Sequence, residues 1–272
     1  MTSQPNEHIL VPMADSKGNL AVTIHRGSGP KVLLIHGISS SSADFNAVIT
    51  AMQAFCQPIT MDLRGHGKSS QPESGYHYSN YTRDLEAVIA HLGLKRPIVI
   101  GHSLGGIVTL MWAAQHPNDA TALIIEDSPL RSGSDFIEAF NGWLTLNALS
   151  QEQARSWYES KNPGWNDRLL DQRSHDMVNT SRTAILELQQ ASLSNEGLDS
   201  VAGLESISSP MLFLQGDPTT GSMVHPNDMV DLQRKIPHMA VKLFPEAGHT
   251  IHRSHPKEWL EAVRAFIEKL DV

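Results

Sequence analysis

A serine between glycines stands where an apolar run meets a helix-like segment. The stretch GHSLGG (101–106) matches Gly-x-Ser-x-Gly with Ser103 at its centre, and it follows RPIVIG and opens LGGIVTLMWAAQHP. A tight strand-to-helix turn exposes a serine hydroxyl beside the unpaired N–H groups of a helix N-terminus, and small flanking residues let the backbone approach closely. The pattern therefore predicts that Ser103 is a nucleophile.

The elements that must position this serine alternate along the chain. Strand-like apolar runs lie at 8–13, 20–25, 31–36, 57–62, 96–101, 120–127, 210–216 and 240–245. Helical periods fit 42–55, 79–94, 104–117, 226–236 and 256–270. Strand–helix alternation predicts an α/β fold with a mostly parallel eight-stranded sheet flanked by helices.

One interval breaks the alternation. Residues 128–208 contain no strand-like run but several helix-like stretches, among them DFIEAFNGWLTLNALS, SQEQARSWYES and SRTAILELQQASLS. About 80 residues without a strand are too many for a simple connection within a compact domain. We therefore expect a core domain formed by residues 1–127 and 209–272, with a helical cap subdomain, residues 128–208, inserted after the sixth strand.

Composition narrows the classes of partner and compartment. The chain has 272 residues and a net charge of −8, with no block of Lys or Arg, which argues against nucleic acid and anionic membrane as partners. No apolar run approaches the roughly 18 residues that span a bilayer. The polar N-terminus and the single cysteine, Cys56, favour a cytoplasmic protein without disulfides. A monomer and a homodimer both remain open.

Three further motifs follow predicted strands: HG (36–37), DLRGHGKS (62–69) and PEAGHTIHRSHP (245–256). With GHSLGG, they resemble the α/β-hydrolase superfamily, and in particular its capped esterase- and lactonase-like branch, over nearly the whole chain. GHGKS is not a phosphate-binding loop, because Asp62 stands where that motif requires glycine.

The resemblance implies the remaining catalytic groups. His249 matches the late histidine that serves as general base, and the backbone N–H groups of Ile38 and Leu104 match the oxyanion hole. This chemistry needs no cofactor. His252 and His255 follow His249 at intervals of three, but no acidic ligand or second histidine motif accompanies them, so we expect no metal site.

The acid that orients the histidine is ambiguous. Thr219 stands three residues after the glycine that ends the seventh strand, where the superfamily often carries this carboxylate. Asp127 is favoured because it lies 24 residues past the serine, as in similar haloalkane dehalogenases and zearalenone-degrading lactonases. Asp217 belongs to a turn-like GDP sequence, and Glu126 points opposite to Asp127 by strand alternation. Both remain alternatives.

The resemblance implies a serine hydrolase that cleaves a carboxylic ester or lactone of a small hydrophobic substrate through an acyl-enzyme. Aromatic residues in the expected cap suggest an apolar pocket, with Trp143 as the candidate for substrate contact. Ser103 argues against the dehalogenase and epoxide hydrolase branches, which use an aspartate nucleophile. The alternatives are a carbon–carbon bond hydrolase, a cofactor-free dioxygenase and a non-catalytic ligand receptor.

Overall fold

A single eight-stranded sheet organises the computed structural model, which describes residues 6–131, 134–194, 196 and 201–270. Strands β1 to β8 span Glu7–Pro12, Asn19–Ile24, Lys31–Ile35, Gln57–Met61, Ile98–His102, Ala122–Glu126, Met211–Gly216 and Ala240–Phe244. Their order is β1-β2-β4-β3-β5-β6-β7-β8. β1 and β2 run antiparallel to their neighbours and all other pairs are parallel, which confirms the predicted mostly parallel sheet.

The central strands are buried on both faces, as their near-continuous apolar runs predict. In β3, Leu33 and Ile35 join one hydrophobic cluster, whereas Val32 and Leu34 join the cluster on the opposite face. This alternation follows from the two-residue period of a strand. Because the parallel strands all end at one edge, the loops that follow them meet there and build a common site.

Helices cover both faces of the sheet. α1 to α3 span Asn46–Met52, Tyr78–His91 and Leu104–Gln115, and α8 to α10 span Pro226–Lys235, Ile251–Ser254 and Pro256–Ile267. Each of the five predicted helices is shorter in the structure, most of all the one predicted over 42–55. The segment 42–55 begins as a 3₁₀ turn, Ser42–Phe45, before α1. Pro256 starts α10, since proline at the first helical position needs no N–H partner.

Four helices, α4 to α7, lie between β6 and β7, and we call them the helical insertion. They span Ser134–Asn147, Gln151–Lys161, Asp167–Asn179 and Arg182–Leu193. Side chains of Ser150, Asn166 and Ser181 cap α5, α6 and α7 by accepting backbone N–H groups. The predicted division into core and cap stays a prediction, and residues 132–133, 195 and 197–200 of the predicted cap lie outside the described residues.

Candidate active site

Ser103 lies on the sharp turn between β5 and α3. Its φ of 53° and ψ of −118° are unfavourable for a residue with a side chain. The flanking glycines permit this turn. A Cβ atom on Gly101 would lie 2.4 Å from the Gly105 carbonyl oxygen, and one on Gly105 would lie 2.3 Å from that of Ile35. Only glycine fits at either position, which explains the spacing of the motif.

A hydrogen-bonded chain links Ser103, His249 and Asp127. Nε2 of His249, in the loop after β8, lies 2.9 Å from Oγ of Ser103. Nδ1 of His249 lies 2.8 Å from Oδ2 of Asp127, which directly follows β6. Because a carboxylate only accepts, Nδ1 carries the proton, and Nε2 is free to accept one from the serine hydroxyl. The His249 side chain is 26% exposed and that of Asp127 is fully buried.

Asp127 is held by the loop that follows β7. Its Oδ1 accepts hydrogen bonds from the Gly216 N–H at 2.9 Å and the Ser222 hydroxyl at 2.6 Å. Its Oδ2 accepts the Met223 N–H at 2.9 Å. Burial alone raises the pKa of Asp127, but the bonds from His249, Ser222 and Met223 outweigh burial and lower it. The carboxylate is therefore ionised beside His249.

The other two candidate acids have different partners. Asp217 accepts the backbone N–H of Thr219 at 2.8 Å and its hydroxyl at 2.7 Å, which closes an exposed turn. The loop after β7 thus donates to a carboxylate rather than supplying one, and this accounts for Thr219 at that position. Glu126 faces away from His249, as strand alternation predicts.

Glu126 is fully buried and anchors the segment that follows His249. Its carboxylate accepts the N–H groups of Ile251 and His252 at 2.7 and 3.0 Å, Nδ1 of His252 at 2.9 Å and Nε1 of Trp259 at 2.9 Å. Burial raises the pKa of Glu126, but His252 reverses the effect and lowers it to about 2. Burial lowers the pKa of His252, whereas Glu126 and Asp44 raise it to about 9.

The segment after β3 passes directly against Ser103, the predicted nucleophile. A Cβ atom on Gly37 would lie 3.0 Å from Cβ of Ser103. The buried His36 accepts the Leu63 N–H at Nε2, 3.0 Å away, so its Nδ1 donates to the Gly37 carbonyl at 2.7 Å. That carbonyl belongs to the same peptide as the N–H of Ile38. His36 therefore fixes the direction of this N–H, a role that its place in a loop motif does not reveal.

The second expected donor is at the start of α3. Leu104 is the first residue of that helix, so its N–H has no intrahelical acceptor and lies beside the serine. The helix N-terminus also favours negative charge at this point. The predicted nucleophile, base and acid, with the two expected N–H donors, thus lie at one edge of the sheet.

A sequence profile described as the alpha/beta hydrolase fold matches residues 30–256. This chain belongs to the alpha/beta hydrolase family. The 2-(acetamidomethylene)succinate hydrolase of Mesorhizobium japonicum is 25% identical over 253 residues, covering 89% of this chain and 90% of that protein. The sn-1-specific diacylglycerol lipase ABHD11 of Mus musculus is 28% identical over 257 residues, covering 88% and 81%.

Solved structures give the same fold for this hydrolase. E-2-(acetamidomethylene)succinate hydrolase superposes with a TM-score of 0.82 and 22% identity, covering 97% of this chain and all of that one. An esterase from Exiguobacterium antarcticum has a TM-score of 0.82 and 19% identity over the same shares. Identities this low establish the architecture and not the substrate.

His102, next to Ser103, contacts the backbone of His249, the predicted base of this hydrolase. Its Nε2 lies 3.0 Å from the backbone oxygen of His249, and the two rings are 4.7 Å apart between centroids. Burial lowers the pKa of His102 to about 3, so its ring is neutral and donates to that oxygen. No sequence pattern predicts this contact, because it depends on how β5 and the loop after β8 approach each other.

Trp143 lies in α4 and is part of an aromatic group. Its ring is edge-on to that of Phe140 at 5.0 Å and to that of Phe136 at 6.4 Å, and it packs against the clusters of both the sheet and the insertion. These contacts place it between the helical insertion and the rest of the molecule. Its predicted contact with substrate stays a prediction.

Two other features concern ligands. In the described ranges, no three His, Cys, Asp or Glu side chains are grouped so that they would hold a metal ion. His252, whose spacing from His249 raised the question of a metal site, pairs with Glu126 at 2.9 Å. No helix within the same ranges combines the length and the apolar character that crossing a bilayer requires.

Proposed function

We propose that this protein is a serine hydrolase that cleaves a carboxylic ester or lactone of a small hydrophobic substrate through an acyl-enzyme intermediate. The single observation that carries the proposal is the hydrogen-bonded chain from Ser103 through His249 to Asp127. Membership of the hydrolase family supports it, as do the lipase and esterase among the similar proteins.

Each group has one task in the first half of the reaction. His249 takes the proton of Ser103 at Nε2 while the serine oxygen attacks the substrate carbonyl carbon. Asp127 holds the tautomer that can accept this proton and stabilises the imidazolium that forms. The N–H groups of Ile38 and Leu104 donate to the carbonyl oxygen as it becomes negative.

The same groups complete the second half. His249 gives its proton to the leaving alcohol oxygen, and the acyl group remains on Ser103. His249 then accepts a proton from water as the water oxygen attacks the acyl carbon. It returns this proton to the Ser103 oxygen as the bond between that oxygen and the acyl carbon breaks, which releases the carboxylic acid and restores the enzyme. All proton transfers use Nε2 of one histidine, so the proposed reaction needs no cofactor.

We also propose that residues 128–208 act as a cap over the site, and that this cap selects an apolar substrate. The aromatic group of α4 supports this role, since Phe136, Phe140 and Trp143 present a cluster of rings beside the core. Large rings bury much apolar area at little cost in side-chain entropy. In this proposal Trp143 contacts the acyl or alcohol part of the substrate.

Hydrolysis of short-chain p-nitrophenyl esters tests the function and the acid together. kcat/KM is measured for the wild type, Ser103→Ala, Asp127→Asn and the matched control Asp217→Asn. Neutralising a triad acid lowers the rate by about 10³- to 10⁴-fold, so we expect a loss of that order for Asp127→Asn and little change for Asp217→Asn. Ser103→Ala should abolish formation of the acyl-enzyme.

The outcomes separate the parts of the proposal. A large loss for Asp217→Asn with an active Asp127→Asn would show that the acid is misassigned while hydrolysis stands. A wild type without activity on any ester or lactone would reject the function. Oxygen uptake on a quinolone, diketone cleavage and ligand binding without turnover would then be measured, since these report the dioxygenase, carbon–carbon hydrolase and receptor alternatives.

A further inference from the structure

Residues 37–42, which we call the oxyanion segment, join β3 to the first helical turn and contain Ile38. The core holds both ends of this segment. His36 donates to the Gly37 carbonyl at 2.7 Å, and the Ser42 N–H donates to Oδ1 of Asp62 at 2.6 Å. Neither His36 nor Asp62 belongs to the helical insertion, so these two contacts do not involve its side chains.

The middle of the oxyanion segment is held from α6 in the insertion. Nη1 of Arg173 donates to the Ser39 carbonyl at 3.0 Å, and the Ser41 hydroxyl donates to Oδ2 of Asp176 at 3.1 Å. Arg173 is only 8% exposed and Asp176 only 3%. The two side chains are three residues apart on one helix, so they lie on the same face and both hydrogen-bond to the oxyanion segment.

Ser39 needs an external contact more than its neighbours do. It directly follows Ile38, is 1% exposed and has a φ of 54°, in the left-handed region. For a residue other than glycine this conformation is sterically unfavourable. It persists only where surrounding contacts fix it. The Arg173 bond to its carbonyl is such a contact, and it comes from another part of the fold.

The surroundings of Arg173 favour positioning over capture of an anionic substrate. Its guanidinium carbon lies 5.7 Å from the centre of the Tyr158 ring. Burial lowers the pKa of Arg173, but Tyr158, Asp44 and Asp176 outweigh burial and raise it. Asp44 and Asp176 are therefore protein carboxylates that act on this charge, and Asp44 also pairs with Arg253 at 2.7 Å. Its Nε has no hydrogen-bond partner and is shielded from solvent, so a ligand would not reach it in this conformation.

We propose that Arg173 is a positioning residue, which with Asp176 couples the docking of α6 to the geometry of the oxyanion hole. The inference rests on the proposed function, because it assigns the Ile38 N–H to the developing oxyanion. When α6 is docked, Ser39 is held in its left-handed conformation and the preceding N–H points at the reacting carbonyl. When α6 moves away, the middle of the oxyanion segment relaxes and the donor is misdirected. The insertion would then contribute to rate as well as to substrate choice.

Three variants of the full chain test the coupling: Arg173→Met removes the guanidinium, Arg173→Lys keeps a donor, and Arg168→Met is the control. Arg168 lies on the same helix but is exposed. Amide hydrogen exchange of residues 36–45 measures the segment directly and requires no turnover. Two quantities measure how well the oxyanion hole stabilises negative charge. One is kcat/KM on p-nitrophenyl acetate, and the other is the affinity for a trifluoromethyl ketone, which forms a tetrahedral oxyanion on the serine. Affinity for acetate, which forms no such adduct, measures ordinary binding.

For Arg173→Met we expect faster exchange in residues 36–45 and a fall of about 10- to 100-fold in both kcat/KM and ketone affinity, which is less than the loss of a whole oxyanion donor. Acetate affinity should change less than about 3-fold, Arg173→Lys should recover part of each loss, and Arg168→Met should match the wild type. If Arg173 only stabilised the fold, Arg173→Met would lower the affinities for the ketone and for acetate by similar factors.

Unchanged exchange, or equal losses for ketone and acetate, would overturn the coupling. If Arg173→Met does not fold, the same comparison between Arg173→Lys and wild type decides, since partial loosening should still appear. A wild type that hydrolyses no ester would reject the proposed function alone, because exchange of the oxyanion segment still decides whether Arg173 holds it.

Discussion

Two carboxylate–histidine pairs stand side by side at the end of β6, and they have opposite surroundings. Glu126 and His252 are both fully buried, and every partner of the carboxylate lies in the segment after His249. Asp127 and His249 are equally close, but the histidine is 26% exposed and its second nitrogen lies against Ser103. Two consecutive residues, the last of β6 and the one that follows it, thus supply two pairs of the same chemical type.

The difference shows which surroundings make such a pair stabilise the fold and which allow it to transfer a proton. In the Glu126 pair both partners have strongly shifted pKa values that favour the charged forms, so the proton stays in place over a wide pH range. In the Asp127 pair the histidine has access to solvent and to a hydroxyl, so it can exchange its proton during a reaction. The Glu126–His252 pair holds the segment that follows His249, and the Asp127–His249 pair depends on the position of that segment.

Removing the charge of the buried pair should have the largest effect on stability. Glu126→Gln places an amide against N–H donors and removes the main charge that keeps the buried His252 in its charged form. Breaking a buried ion pair costs about 3–5 kcal/mol, and we expect a loss of this order in the free energy of unfolding, measured in urea. The exposed Glu268, which pairs with Arg264 at 2.7 Å, gives the control Glu268→Gln, expected within about 0.5 kcal/mol of wild type.

If Glu126→Gln lowers the free energy of unfolding by less than about 1 kcal/mol, the Glu126–His252 pair does not have the stabilising role that distinguishes it from the Asp127–His249 pair. In that event the loop carrying His249 would be held by its packing, and the burial of Glu126 would need another explanation.

The buried pair should also shape stability against pH. The pKa of Glu126 is lowered from 4.5 to about 2, so its contribution is present above 4.5 and is lost as pH falls from there toward 2. The pKa of His252 is raised from 6.5 to about 9, so its contribution is present below 6.5 and is lost as pH rises toward 9. The pair should therefore stabilise most between about pH 4.5 and 6.5.

Urea unfolding across the pH range measures this profile. In Glu126→Gln the alkaline decline between pH 6.5 and 9 should flatten, because the raised pKa of His252 comes mainly from Glu126. An identical alkaline slope in wild type and variant would contradict the assignment of this decline to His252.

The smallest expected effect is on kcat/KM, and it comes from one hydrogen bond to Asp127 in the Asp127–His249 pair. Ser222→Ala removes the hydroxyl that donates to Oδ1 of Asp127 at 2.6 Å but leaves the bonds from Gly216 and Met223. One hydrogen bond contributes about 0.5–1.5 kcal/mol, so kcat/KM should fall by roughly 2- to 12-fold. Thr219→Ala is the control, since that hydroxyl serves only the exposed turn at Asp217. Equal losses in both variants would assign the effect to the loop as a whole.

The sequence was sufficient for the sheet and for the turn at Ser103, because both have local causes. Buried parallel strands require continuous apolar runs, and the serine turn requires glycine at two fixed positions. The helix α6 was not among the predicted stretches. Its sequence, DRLLDQRSHDMVN, is mostly polar, and its buried face includes Arg173 and Asp176, which a hydrophobic pattern does not reveal.

The choice among the three candidate acids depends on contacts between distant loops. Spacing favoured Asp127, but Glu126 and Asp217 stayed open, since the direction of a carboxylate at a strand end depends on what receives it. The structure separates them by their partners, and the assignment of Asp127 as the acid remains a prediction until the variants are measured. His36, His102 and Arg173 act through backbone carbonyls, and no residue pattern marks such contacts.

The turn at 217–221 carries no group of the proposed catalytic chain, and this has a consequence for how the protein can change. Thr219 and Thr220 are exposed and bond only to Asp217 within the turn. In relatives whose acid stands here, such a turn is constrained by chemistry. We expect residues 218–221 to tolerate a change of length or an inserted peptide, provided that Ser222 and Met223 keep their bonds to Asp127. The Asp217 N–H must also keep its 2.7 Å bond to the Ala247 carbonyl, in the loop that carries His249.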